Sequence, residues 1–346
     1  MNSSSLAAEY AWPVRIALAF LPTLFFLFSL YLLDSFRLVR PRRIAACMLF
    51  GLASGVLSFL VNSLIMERVN LPIMTFAVTV APVVEEIIKC SWMTWLIHTR
   101  RAGFLVDAAL LGFATGAGFG LSENVYYLKI MPDSPTLVWI IRGFGTALMH
   151  GGAVAIFAVL LRGLSSRYGA LSSRAWLPAL AAAIVVHALF NRFMSHPILA
   201  TGIMLVVWPL VLKAAYSLGE TQLRNWLGRG FDRDTELLAL VKSGAVSETP
   251  LGRYLLSLRD SFRPADVADM LCLLRLQAEL SIRAKGVLLL RENGLEPKPD
   301  PETRARLEEV DSLERSLGRT GLMALRPLCR WQNENAWQRH LLEEDA

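Results

Sequence analysis

Long runs of apolar residues, separated by short polar segments, follow one another up to about residue 218. Each run has the length of about 20 residues that an α-helix needs to cross a bilayer. Every backbone amide in hydrocarbon needs a partner inside its own segment, so each run is expected to be helical. The pattern predicts an all-α, polytopic membrane bundle of about seven transmembrane helices, near residues 12–33, 44–66, 73–98, 104–128, 137–161, 176–195 and 197–217.

The pattern changes after this region, where charged residues become frequent and remain so to the end of the chain. Apolar positions recur at nearly helical spacing between Pro264, where a helix could begin, and Gly294, where it would stop. A proline-broken linker, "EPKPDPETR", precedes a charged amphipathic helix that should end near Gly318. A further short helix is predicted near Trp331–Leu342.

This change in composition predicts two domains. Residues 1–218 would form a seven-span transmembrane domain, and residues 219–346 a cytoplasmic helical domain. The second contains no Walker loop, nucleotide fingerprint or metal-ligand spacing. We expect it to pack on the membrane domain or to bind a cytoplasmic partner.

Basic residues predict the orientation of the bundle. Lys and Arg are concentrated in the loops at 34–43, 99–103 and 162–175 and after the last run, whereas residues 1–12 contain none. Because basic loops remain in the cytoplasm, the N-terminus should lie outside and the C-terminus inside a plasma (inner) membrane. The first run lacks a basic leader and a small-residue cleavage site, so it is expected to be a span and not a cleaved signal peptide.

Composition agrees with a membrane protein and argues against other classes. Hydrophobic residues make up 54% of the chain and charged residues 18%, and the mean hydropathy of +0.44 is too high for an ordinary soluble enzyme. The net charge of +6 suits contact between cytoplasmic loops and anionic lipid. The sequence contains no basic stripe with interleaved aromatic residues, so it does not predict a nucleic-acid partner. The four cysteines form no C-x-x-C pair and are expected to be reduced and structural.

The third apolar run contains three ionisable residues near its middle: Glu85, Glu86 and Lys89. An ionisable group at this depth costs about 3 to more than 10 kcal/mol and indicates a functional site by default. Lys89 follows the two glutamates by four and three residues, so it can reach back to either carboxylate on a helix. One carboxylate would then remain for a polar cavity.

Each of the next three runs adds polar residues of a catalytic type, namely Glu123, His150, and His187 with Asn191 one turn later. Gly112, Gly116 and Gly120 repeat every fourth residue and would let neighbouring helices approach closely. Counted along the predicted spans, these groups fall between the midplane and the outer leaflet. The sequence therefore predicts one shared polar site inside the membrane.

Four motifs occur in a fixed order on these successive runs. They read "EEIIK" (Glu85, Glu86, Lys89), "FGLSE" (Phe119, Glu123), His150 and "HALFN" (His187, Asn191). This order resembles the PrsW-type intramembrane proteases, of the superfamily that also holds the prenyl-protein (CAAX) endopeptidases and a scaffold subunit of gamma-secretase. The resemblance covers about residues 70–200. The PrsW pattern has an aspartate where this chain has Asn191, and the CAAX branch has asparagine.

The resemblance implies an endopeptidase in which glutamates activate water to hydrolyse membrane-anchored protein substrates, as in regulated intramembrane proteolysis. Glu85 would be the general base and Glu86 its partner, with Lys89 and Glu123 adjusting both. His187, Asn191 and His150 would donate hydrogen bonds to the oxyanion. Membrane lipid and a membrane-anchored substrate are the implied partners.

Three alternatives remain open from the sequence. Zinc could bind with an open water position, and its ligands would then be Glu86, Glu123, His150 and His187. The helix motif H-E-x-x-H of many zinc proteases is absent, and a glutamate mechanism without zinc would use the same residues. The sequence therefore leaves the cofactor open between none and zinc. The gamma-secretase relative implies that the same fold can serve as a non-catalytic scaffold, and intramembrane carboxylates also suit a proton-coupled transporter.

Overall fold

The computed structural model describes residues 3–193, 196–298, 300–325, 327–328, 338–339 and 341–343, without the side chains of 3–11, 229–231 and 233. Regular structure in this part of the chain is entirely helical. The α-helices are α1 (Ser3–Leu32), α2 (Pro41–Met66), α3 (Ile73–His98), α4 (Leu105–Ile130), α5 (Thr136–Ile141), α6 (Ala147–Tyr168), α7 (Ser173–Arg192), α8 (Pro197–Ser243), α9 (Pro250–Ser257), α10 (Pro264–Glu292) and α11 (Pro301–Leu325).

Six helical segments within the described residues are long and apolar enough to cross a membrane. They are Trp12–Leu32, Pro41–Met66, Leu105–Ile130, Thr136–Tyr168, Ser173–Arg192 and Pro197–Gly228. Helix α3 has 26 residues, the same length as α2. It contains Glu85, Glu86 and Lys89, so apolar composition alone does not identify it as a span. The predicted all-helical membrane fold is confirmed, and the seventh span stays a prediction.

The chain divides into two compact units, Met1–Glu220 and Thr221–Ala346. The seventh predicted run forms only the first part of α8, a continuous helix of 47 residues. In the second unit α10 begins at Pro264 and ends before Gly294, as predicted. Helix α11 continues past Gly318, where the backbone breaks at φ 59° and ψ −174°. The helix predicted near Trp331–Leu342 lies largely outside the described residues.

Helix α4 lies at the centre of the first unit. In its most apolar stretch 89% of the residues are buried, against 28% in α2. A Cβ on Gly118 would clash with the Met48 carbonyl of α2, and one on Gly116 would clash with the His150 carbonyl of α6. The glycines of α4 therefore let two neighbouring backbones come into contact on different faces of the helix.

The fifth predicted span contains an irregularity that the sequence pattern did not predict. Between α5 and α6 lies a π-helical turn, Arg142–Thr146. A Cβ on Gly143 would clash with the Leu18 carbonyl of α1, and Thr23 of α1 donates to the Gly143 carbonyl at 3.3 Å. Such turns add a residue to the helix and rotate the side chains beyond it, and they are frequent at functional sites.

Gly116→Ala should destabilise the membrane unit by about 1–3 kcal/mol, because the added methyl group would force α4 and α6 apart. Gly163→Ala is the matched control, since its Cβ would meet nothing within 4 Å. Thermal unfolding of the two purified variants in detergent micelles measures the difference. Equal midpoints would contradict this account of the packing.

Candidate functional site

A buried ion pair on α3 forms the base of the site. Lys89 Nζ donates to Glu86 Oε1 at 2.6 Å, and both side chains are fully buried. The residues are three apart, so the pair closes across one helical turn. Lys89 Nζ also lies 4.2 Å from the centre of the Phe119 ring of α4, which favours a cation at this position.

The pair extends into a chain of contacts between helices. His187 of α7 places Nδ1 2.7 Å from Glu86 Oε1. On the other side, Lys89 Nζ lies 3.0 Å from Nδ1 of His150, whose Nε2 lies 3.1 Å from Glu123 Oε2. An ammonium only donates and a carboxylate only accepts. Neutral His150 therefore carries its proton on Nε2, and His187 carries one on Nδ1.

Glu85 lies beside this chain and differs from Glu86 in its environment. Its Oε1 accepts from Asn62 Nδ2 of α2 at 3.2 Å. Its Oε2 lies 3.7 Å from His187 Nε2 and has no hydrogen-bond partner among the described residues. The Glu85 side chain retains 11% exposure, whereas that of Glu86 has none. Of the two α3 carboxylates, Glu85 is therefore the one whose side chain is reached from outside, and its Oε2 is buried.

Arg142 of the π-helical turn completes the chain, and the sequence patterns did not identify it. Its Nη2 donates to Glu123 Oε2 at 3.2 Å and its Nε to Asn124 Oδ1 at 2.8 Å. Asn124 in turn donates to the Ala19 carbonyl of α1 at 2.7 Å, and the guanidinium lies 3.8 Å from the Tyr127 ring. The sequence signal that could have identified Arg142 is its position inside an apolar run, and the same holds for Asn62 of α2.

Asn191 is placed apart from these contacts. Its Nδ2 donates to the Ala77 carbonyl of α3 at 2.8 Å, and no contact with the carboxylate cluster is described for it. In the structure Asn191 links α7 to α3 through this hydrogen bond, and its role at the oxyanion stays a prediction.

A cleft of about 400 Å³ reaches the site from outside. Its walls come from α2, the beginning of α3 and the second half of α4, and Glu85 and Glu123 both line it. Aromatic side chains, including Phe59, Phe76 and Tyr126, form much of the remaining surface. The cleft therefore connects apolar surroundings to two carboxylates.

Three side chains of the cluster bring possible metal-ligand atoms close together. Glu85, His150 and His187 each bring one ligand atom within 4.8 Å of the others, a different set from the Glu86, Glu123, His150 and His187 expected from the sequence. Both nitrogens of His150, however, are engaged by Lys89 and Glu123. Catalytic zinc takes three protein ligands. Because both nitrogens of His150 already have partners, the described residues do not fit a zinc site in this arrangement.

Comparison with known families gives one result. The family model described as PrsW family intramembrane metalloprotease matches residues 40–215, half of the chain. The matched segment contains every residue of the cluster and all of α2 to α7. No curated protein and no solved structure matches the chain.

Lys89→Met should destabilise the protein by about 3–5 kcal/mol, because it leaves the Glu86 carboxylate buried without its cation. Lys129→Met, at the exposed end of α4, removes the same charge and should change stability by less than about 0.5 kcal/mol. Unfolding of both variants in micelles gives the two values. A Lys89→Met protein as stable as Lys129→Met would contradict the role assigned to the pair.

Proposed function

This chain belongs to the PrsW family of intramembrane metalloproteases, and from that premise we propose that its buried cluster hydrolyses peptide bonds of membrane-anchored proteins with Glu85 as the general base. The observation that carries the proposal is a pair of buried acceptors, one of which belongs to Glu85, a residue that lines the cleft. Glu85 Oε2, without a partner among the described residues, lies 3.7 Å from His187 Nε2.

These two acceptors suit a water molecule. His187 donates through Nδ1 to Glu86, so its Nε2 carries a lone pair. A water between Oε2 and Nε2 can donate one hydrogen to each, which leaves an oxygen lone pair directed towards a substrate carbonyl. Glu86 holds the imidazole in this tautomer, as a carboxylate does for the histidine of a hydrolytic triad.

The reaction then needs two proton transfers. Glu85 takes a proton from the water as the oxygen adds to the scissile carbonyl carbon. The Lys89 ammonium lies in the same cluster, and its positive charge offsets the negative charge that develops on the oxyanion. Glu85 returns the proton to the amide nitrogen, the C–N bond breaks, and a carboxylic acid and an amine are released.

The remaining residues hold this geometry. Lys89 fixes Glu86 and contacts His150, and His150 contacts Glu123. Arg142 binds Glu123 and Asn124 from the π-helical turn. We assign Glu123, Arg142 and Asn191 positioning roles, and Phe119 the role of a wall for Lys89 and His150.

The proposal includes a topology. We propose seven spans, with α3 as the seventh, in the plasma (inner) membrane of the cell. The N-terminus would be outside and the region 219–346 in the cytoplasm, where it could bind a partner. Basic loops support this orientation, and the 26-residue length of α3 supports its crossing. Substrates would be cut in the outer half of the bilayer.

Glu85→Gln tests the base. The amide keeps the size of the side chain but cannot accept a proton, so cleavage should fall by about 10²–10⁴-fold. The assay uses the purified full chain in liposomes with a single-span substrate and follows the shorter product. Glu67→Gln is the matched control, since Glu67 is an exposed residue just after α2. Product formation by Glu85→Gln at the wild-type rate would exclude the proposed base.

Arg142→Met tests the positioning chain. Loss of the guanidinium frees Glu123 and, through it, His150, so kcat should fall by about 10- to 100-fold with little change in KM. Arg142→Lys should recover part of the rate because it keeps the positive charge. The recovery should be incomplete because lysine cannot donate to Glu123 and Asn124 with the geometry of a guanidinium. Arg192→Met, at the exposed end of α7, serves as the control.

The contact between Arg142 and Glu123 also predicts that the losses of activity caused by changing each residue do not add. If Arg142 acts through Glu123, Arg142→Met should cost little more once Glu123→Gln is present. Independent, multiplying losses would contradict the connection between the two residues.

A further inference from the structure

One polar face of α2, at Ser58 and Asn62, carries polar atoms that the proposed reaction does not use. Ser58 is 1% exposed, and its Oγ has no hydrogen-bond partner among the described residues. Asn62, one turn later, uses Nδ2 on Glu85, but its buried Oδ1 also lacks a partner among them. Both residues line the cleft. Leaving a buried polar atom unpaired is costly, which points to a missing ligand.

Other hydroxyls of the same helix behave differently. Ser54 Oγ donates to the Gly51 carbonyl at 2.7 Å, and Ser63 Oγ donates to the Phe59 carbonyl at 2.8 Å. A serine in an apolar helix ordinarily satisfies itself in this way on its own backbone. Ser58 does not, although it is as deeply buried as Ser54. The absence of a partner for the Ser58 hydroxyl among the described residues is therefore specific to the cleft and is not shared by Ser54 and Ser63 of α2.

The spacing of the two groups suits an extended peptide. Residues four apart on a helix lie on one face, separated by about 6 Å along the axis. In an extended chain, backbone groups that point the same way recur every second residue, about 6.6 Å apart. Ser58 Oγ can donate or accept, and Asn62 Oδ1 accepts from an N–H. The two can therefore bind backbone groups of alternate residues.

The size of the cleft supports the same conformation. A helix with its side chains is about 10 Å wide, whereas the cleft holds only about 400 Å³ between α2, α3 and α4. A transmembrane segment must unwind locally to bring a peptide bond to Glu85. Unwinding exposes backbone amides, and an environment poor in water requires that the protein satisfy them.

We propose that Ser58 and Asn62 form a backbone-binding face that holds a locally unwound, extended stretch of an apolar substrate segment beside Glu85. This inference rests on the proposed function and deepens it, because it names the conformation and the contacts of the substrate. Recognition is then through main-chain hydrogen bonds on α2. The apolar and aromatic walls accept the side chains.

Ser58→Ala, with Ser54→Ala as the matched control, tests this face. Both remove one buried serine hydroxyl from α2, but Ser54 is bonded to its own helix and is not among the residues that line the cleft. In the liposome assay Ser58→Ala should lower kcat/KM by about 2- to 10-fold, the effect of one hydrogen bond, and Ser54→Ala should not. Equal values for the two variants would overturn the proposal.

An internal comparison removes any effect of incomplete folding. Synthetic substrates in which one amide near the cut is replaced by an ester lose a single backbone N–H. For the wild-type chain the ester-to-amide ratio of kcat/KM should drop about 2- to 10-fold at positions two residues apart. Ser58→Ala should restore the ratio at one of them. This ratio does not depend on the amount of folded enzyme.

The outcomes separate the two claims. If wild-type protein and Glu85→Gln both give no product, the proposed function fails. If wild-type protein cleaves and the ester ratios stay near one at every position, or are the same in Ser58→Ala, the backbone-binding face is wrong and the protease assignment stands.

Discussion

The Glu86–Lys89 pair is the interaction on which the rest of the site depends. A lone carboxylate or ammonium at that depth would cost several kcal/mol, so each residue is tolerable only because the other lies 2.6 Å away. The pair then fixes one histidine on each side, His187 through Glu86 and His150 through Lys89. One ion pair on α3 thus contacts an imidazole from α6 and another from α7, and it fixes the tautomer of both.

Close helix packing makes that interaction possible. His150 can reach Lys89 only because α6 lies against α4, where a Cβ on Gly116 would clash with the His150 carbonyl and one on Gly120 would lie 2.9 Å from Ala147 Cα. The same closeness keeps Glu86, Lys89, His150 and His187 buried. Opposite charges in a buried interior interact strongly, and Glu85 and Glu123, which line the cleft, are left as its accessible carboxylates.

The separation of the two adjacent glutamates gives the site its chemistry. They point about 100° apart on a helix, so Glu86 faces Lys89 and His187 while Glu85 faces Asn62 and the cleft. One carboxylate is held in the ion pair and contacts an imidazole, and the other is the group to which we assign proton exchange with a substrate. In that proposal the substrate enters through the cleft.

The sequence by itself determined the helices, the membrane class and the presence of ionisable groups in the apolar runs. Ionisable groups stand out in apolar runs because burying them is costly, and helix geometry alone shows that Lys89 can reach either glutamate of α3. The family resemblance was confirmed by the match over residues 40–215. The roles of individual residues stay predictions.

Only the tertiary structure decided which polar groups meet across helices. That depends on how each helix is rotated and how near its neighbour lies, and a hydrophobic pattern fixes neither. The π-helical turn that carries Arg142 to Glu123, the Asn62 contact with Glu85, and the attachment of Asn191 to the Ala77 carbonyl all arise in this way. Side chains within one helix can be paired from their spacing, whereas those on different helices are paired by packing.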